Sequence, residues 1–150
     1  MKKAVAIMAA CLLFCGQVCA ENTEDARFSR EVGSDLFNTA HLMWGEAGHT
    51  DSPERRKTGS VLLNRVKSGK FPNTIEECLY QEGQYPTVRD GGPFWEEPSE
   101  ECWQDAEELL TQWYETGYSD LPDDVLYQAT FPQGYGTYLV SEWGQYFCYG

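Results

Sequence analysis

The sequence predicts a mainly helical domain closed by a small antiparallel β element, an α+β class. Three observations carry that prediction. Apolar residues recur at helical spacing in three runs, 36–47, 61–66 and 102–114. Cap-forming residues stand before these runs and glycines stand after them. Beyond Asp120 the pattern changes to short aromatic and β-branched stretches divided by Gly-rich turns, which read as strands.

The first helix is expected from Ser34, an N-cap candidate, with Leu36, Ala40, Met43, Trp44 and Ala47 on one face and Gly48 as its C′ residue. The second is expected from Ser52, as cap, with Pro53 in the first helical position, to about Ser68, with Gly69 past its end. Its inner face carries Val61, Leu62, Arg65 and Val66. Thr74-Ile-Glu-Glu77 is a capping box that opens a short helix through Tyr80. Residues 81–98 are rich in Gly, Pro and aromatics and lack periodicity; irregular segments this long in a compact domain are usually functional or disordered, and the aromatics argue against disorder. Ser99 caps the clearest helix, whose stripe is Cys102, Trp103, Ala106, Leu109, Leu110, Trp113 and Tyr114, ended by Gly117. Two or three short strands are expected among 125–127, 136–140 and 145–149.

The 150 residues suffice for one domain. Residues 1–20 have the form of a secretory signal peptide: Lys2-Lys3, an apolar run too short for a membrane span, then Val18 and Ala20 before a cut at Glu21. Residues 21–33 are expected to be a loose arm and 34–150 the catalytic domain. The reading is of a secreted, monomeric protein, extracellular or associated with a cell wall. The net charge is −13; removing Lys2 and Lys3 leaves nine basic residues against 24 acidic ones, or −15. That balance argues against nucleic acid and anionic membrane as partners. Three cysteines remain, Cys78, Cys102 and Cys148. In an exported chain they predict one disulfide and one free thiol, with the pairing open.

The chemistry centres on Glu46. It stands in the last turn of a helix beside Trp44, where the helix dipole disfavours a negative charge and apolar surroundings raise a carboxyl pKa. A proton donor working near neutral pH needs that property. The plainer reading is a surface residue on a frayed helix end. His41 and His49 are eight apart, the wrong spacing for a zinc helix, and no Cys-x-x-Cys pair, Gly-x-Ser-x-Gly elbow or phosphate loop occurs. No metal or other cofactor is therefore expected. Amide and aromatic side chains on loops, including Gln81, Gln84, Tyr85, Tyr127 and Gln128, are the mixture that binds sugars, with ring faces on aromatics and hydroxyls on amides.

The order of motifs resembles the cell-wall hydrolases typified by spore cortex-lytic enzymes. The matching pieces are Trp44-Gly-Glu-Ala47, Gly59-Ser-Val-Leu-Leu-Asn-Arg-Val-Lys-Ser-Gly69, Phe71-Pro-Asn-Thr-Ile75, Tyr80-Gln-Glu-Gly-Gln-Tyr85, Asp124-Val-Leu-Tyr-Gln128 and Tyr146-Phe147. The resemblance runs from about residue 36 to 149 and implies a lysozyme-like fold acting on peptidoglycan. It makes Glu46, in Gly-Glu-Ala, the catalytic acid, and brings Tyr80 beside Gln81, Gln84, Tyr85, Tyr127 and Gln128 as substrate-binding candidates. The implied activity is cleavage of the MurNAc–GlcNAc bond as a lytic transglycosylase with one glutamate. A hydrolase would need a second carboxylate about 5–9 Å away, for which Glu82 and Asp90 are the loop candidates. The alternatives are a catalytically silent wall-binding or inhibitor module, and an N-acetylmuramoyl-L-alanine amidase. Two departures from the family are expected: no separate wall-binding domain of the kind many members carry is read in this sequence, and His49-Thr-Asp51 stands where many members have another acid.

Overall fold

The computed structural model describes the backbone of residues 23–150 and the side chains of residues 31–150. The expected signal peptide, with Cys11, Cys15 and Cys19, lies outside the described residues. Among the described residues, four α-helices are followed by three strands: α1 Thr23–Ala47, α2 Ser52–Ser68, α3 Ile75–Tyr80, α4 Glu100–Thr116, β1 Val125–Ala129, β2 Gly136–Val140 and β3 Tyr146–Tyr149. The α+β class holds.

Helix α1 starts at Thr23 rather than at Ser34, so residues 23–33 are the first turns of a long helix and not a loose arm. Polarity alone does not break a helix, and no Gly or Pro interrupts this stretch before Gly33. At its other end, Gly48 is not a left-handed cap, since its φ is not positive. A Cβ there would stand 2.5 Å from the Trp44 carbonyl oxygen, so the site demands small size rather than handedness. The cap of α2 is Asp51, one residue before the expected Ser52; its carboxylate accepts from the Glu54 amide at 3.0 Å. Thr74 and Ser99 cap α3 and α4 as expected, and Gly69 and Gly117 close α2 and α4 in the left-handed conformation.

Helix α2 runs through the middle of the molecule and is buried almost all round from Thr58 to Arg65. Ala40, Leu42 and Met43 of α1, Leu62 and Leu63 of α2, and Ala106, Leu109 and Leu110 of α4 form the main core. Tyr114, expected on the buried stripe of α4, is 42% exposed and donates its hydroxyl to Asp35. A second cluster, Val61, Leu121, Val125 and Phe147, joins α2 to the sheet. Polar groups fix the same junction. Asn64 donates to the carbonyls of Pro122 and Val125 at 2.8 and 3.1 Å, and Arg65 Nε donates to that of Leu126 at 2.7 Å. Buried backbone acceptors ahead of and within β1 are thereby paired. The sheet is antiparallel in the order β1-β3-β2, with Tyr127 opposite Cys148 and Gln128 opposite Phe147.

The disulfide expectation is corrected. Cys78, Cys102 and Cys148 are all free and buried. Cys78 donates to the Pro72 carbonyl, Cys102 to that of Ala40, and Cys148 accepts from the Gln133 amide, so each thiol is used locally in a different part of the fold. Burial pushes the Cys78 and Cys102 thiols up to about 11, which keeps them protonated and unreactive. Among the described residues, no helix is long and apolar enough to cross a membrane.

Candidate active site

Residues 81–98 fold over the C-terminal end of α1 as two short 3-10 turns, Pro86–Val88 and Pro93–Trp95. Two features of α1 seat this segment. His41 donates from Nδ1 to the Phe94 carbonyl oxygen at 2.5 Å, within a cluster of Phe37, Phe94 and Trp103 rings. Gly45 supplies the room: a Cβ there would lie 3.0 Å from the Phe94 amide nitrogen and 3.2 Å from Thr87 Cβ. The glycine of Gly-Glu-Ala is thus where the loop backbone touches the helix. Gly45→Ala is expected to push the loop away and cost about 1–3 kcal/mol, read as a lower urea midpoint.

The close approach sets Thr87 against Glu46. The Thr87 hydroxyl donates to Glu46 Oε1 at 2.7 Å. Burial raises the Glu46 pKa; the Thr87 bond and the charge of Arg65 pull it down, and burial prevails. This is the setting a general acid requires. No carboxylate is among the groups that shift Glu46. Glu82 and Asp90, the loop candidates for a second acid, are both exposed.

The other candidate residues fall into two groups around Tyr85. Its hydroxyl is buried, and burial pushes it up to about 12. One group surrounds Arg65, whose guanidinium carbon lies 4.9 Å from the ring centre of Phe71, 5.0 Å from Tyr85 and 5.8 Å from Tyr127. The other lines a cavity of about 340 Å³ formed by Tyr80, Gln81, Glu82, Tyr85, Pro86 and Arg89. Tyr80 is 45% exposed and meets Phe94 edge-on. The Gln84 amide closes a turn on the Gln81 carbonyl at 3.2 Å. Gln128 lies in β1, paired with Phe147. A larger cavity, about 690 Å³, sits between α1, α3 and α4. Its lining includes Glu31, Asp35, Glu76 and Glu77 and no basic residue, and none of the residues around Glu46. Burial raises the Asp35 carboxyl in that lining too, so neither size nor a raised carboxyl alone identifies the site; Glu46 is distinguished by its place in Gly-Glu-Ala and by the loop hydroxyl of Thr87 set against it.

Sequence reasoning missed two residues. Nothing local marks Thr87, because its partner lies 41 positions away. Arg65 did leave a signal, a cation on the inner face of a helix. His41 and His49 do not meet: His41 is buried in the aromatic cluster, and His49 stacks edge-on to Trp143.

Residues 54–121 match the family model described as Cell Wall Hydrolase. The chain resembles the cell-wall hydrolases of the spore cortex-lytic type. It is 25% identical over 84 residues to the spore cortex-lytic enzyme of Oceanobacillus iheyensis, across 56% of this chain and 30% of that one. The chain therefore spans less than a third of the length of the curated relative it matches. No solved structure matches it. The family match is narrower than the run of motifs in the sequence. It contains Arg65, Tyr80, Gln81, Gln84, Tyr85 and Thr87, and it excludes Glu46, Tyr127 and Gln128. The case for Glu46 therefore rests on its own geometry and on Gly-Glu-Ala.

Proposed function

We propose that the protein cleaves the glycan strands of peptidoglycan outside the cell, at the MurNAc–GlcNAc bond, with Glu46 as its acid and then its base. The observation that carries this reading is the half-buried carboxyl of Glu46, raised by its partial burial and held by Thr87 at the end of α1. Thr87 occupies Oε1 and leaves Oε2 to carry the proton. That proton passes to the glycosidic oxygen as its bond to the muramic C1 breaks. The 6-hydroxyl of the same sugar attacks C1 and gives its proton to the Glu46 carboxylate, leaving a 1,6-anhydro end. The route needs one carboxylate, which accords with the absence of a second acid among the groups that shift Glu46. Tyr80, Gln81, Gln84 and Tyr85 offer ring faces and amides to the sugar on one side, and Tyr127 and Gln128 on the other. A monomer without a cofactor suffices for this chemistry. Recognition by neutral groups also suits a chain at −13, which gains no attraction to a polyanionic wall.

Mass spectrometry of purified peptidoglycan after digestion tests the reading. Anhydro-muramic ends are expected. Reducing muramic ends would replace transglycosylation with hydrolysis, freed peptides would indicate an amidase, and no product would indicate a binding module.

A further inference from the structure

Arg65 is placed unlike the other buried or half-buried cations of the fold. Arg55, Arg56 and Lys57 each pair with a carboxylate, at 2.6, 2.6 and 3.0 Å. Arg65 is 5% exposed, yet among the described residues no carboxylate lies within salt-bridge distance of it. Its Nε is fixed to the Leu126 carbonyl, and its Nη1 is buried without a hydrogen-bond partner. An uncompensated buried charge is costly. The rings of Phe71, Tyr85 and Tyr127 offset part of that cost through their negative faces.

The cage also determines what the charge can do. Nη1 is inaccessible, so that nitrogen does not contact substrate in this arrangement. Its field reaches Glu46, Tyr85 and Cys78. Tyr85 and Cys78 titrate at about 12 and about 11 and stay neutral in the working range. Among the described residues, Arg65 is then the charged group that lowers the Glu46 carboxyl, with Thr87 as the neutral partner. The two are linked through the chain as well: Tyr85 packs on Arg65, and Thr87, two residues on, binds Glu46.

We propose that Arg65 is a positioning residue for proton transfer, its unpaired charge held in an aromatic cage to stabilise the anion that Glu46 becomes when its proton leaves. This rests on the reading of Glu46 as the acid. Arg65 makes no ion pair with Glu46, so its charge acts on the acid without a direct contact. A direct ion pair would depress the Glu46 pKa and remove the proton before the reaction.

The test begins with the folded wild-type protein. NMR of the Arg65 Nε–H group and of the Glu46 carboxyl carbon is followed across pH. The Arg65 resonance is expected to move with the Glu46 midpoint, and that movement is expected to vanish in Glu46→Gln. An Arg65 resonance that ignores the Glu46 titration overturns the proposal without any arginine variant. Arg65→Gln is then expected to raise the Glu46 midpoint, shift the alkaline limb of glycan cleavage in the same direction, and lower kcat with KM retained. Arg65→Lys, which keeps the charge, is expected to restore the limb. A purely structural Arg65 would leave the limb in place in both variants. A wild-type protein that releases no glycan product overturns the glycosidase reading, and with it any part for Arg65 in proton transfer, whatever the coupling measured by NMR.

Discussion

Glu46→Gln is expected to lower glycan cleavage by about 10²–10⁴-fold, the usual contribution of general acid–base catalysis. The substitution keeps the shape of the side chain, and its amide oxygen still accepts the Thr87 hydroxyl; only the transferable proton is lost. Binding of glycan fragments is expected to persist, because the aromatic and amide groups of residues 80–85 are untouched. Wild-type activity is expected to fall as pH rises through the raised Glu46 pKa, since only the protonated acid starts the reaction. Stability follows the same sign. Folded Glu46 holds its proton more tightly than the unfolded chain does, so its contribution is complete below the unfolded carboxylate range and is lost as pH rises through the folded value. Above that range Glu46→Gln is expected to be as stable as the wild type or better, by roughly 0.3–1 kcal/mol from relief at the negative helix end. Turnover at the wild-type rate in this variant would remove Glu46 from the mechanism. Reduced turnover accompanied by an equal loss of folded protein would show a structural glutamate instead.

Local chemistry was legible in the sequence and distant geometry was not. Thr74, Ser99, Gly69 and Gly117 fell where expected because a cap needs only residues within one turn. The α2 cap was displaced by one position for a non-local reason. Ser52 and Asp51 are both cap formers, but the Ser52 hydroxyl is drawn to Asp105, 53 residues away, and Asp51 turns to the Glu54 amide. The start of α1 is not legible because a polar stretch without Gly or Pro is as compatible with a helix as with an irregular arm. The cysteine expectation counted thiols without knowing their places, and burial in three separate environments leaves them unpaired.

In the candidate site, the sequence marks Glu46 but not what holds it. Glu46 stood out through a conflict, a carboxylate at the wrong pole of an apolar helix, and such conflicts are where function tends to lie. Thr87 and the cage of Arg65 depend on which loop crosses which helix, and no periodicity encodes that. The sequence makes Tyr85 and Tyr127 candidates for sugar binding; in the structure both rings pack on Arg65. Gly45 links the two levels, since its close contact with Phe94 and Thr87 explains why the residue before the acid carries no side chain.

Asp105→Ala is expected to cost about 3–5 kcal/mol, a large part of the 5–15 kcal/mol that typically holds such a domain together. Asp105 on α4 faces Arg55 on α2, and Arg55 Nε donates to its Oδ2 at 2.6 Å, with both side chains less than 10% exposed. Ser52 donates to the other oxygen. Removing the carboxylate therefore leaves a buried guanidinium and a hydroxyl without an acceptor at once. Arg55 has two further contacts, and neither replaces Asp105. Its Nη1 bond to the Thr50 carbonyl at 2.7 Å is neutral, and Glu101 lies 3.8 Å away on a side chain 82% exposed, where water screens the charge. Asp105→Asn keeps an acceptor but not the charge, and is expected to fall between Asp105→Ala and the wild type. The exposed pair of Lys67 and Asp123, also at 2.6 Å, is the control: Asp123→Ala is expected to cost no more than about 1 kcal/mol, because both side chains are more than a third exposed. Urea midpoints of the three variants decide the matter, and Asp105→Ala is expected to lower Tm by roughly 10 °C. Equal, small shifts for Asp105→Ala and Asp123→Ala would show that water reaches Arg55 and that apolar packing alone joins α2 to α4.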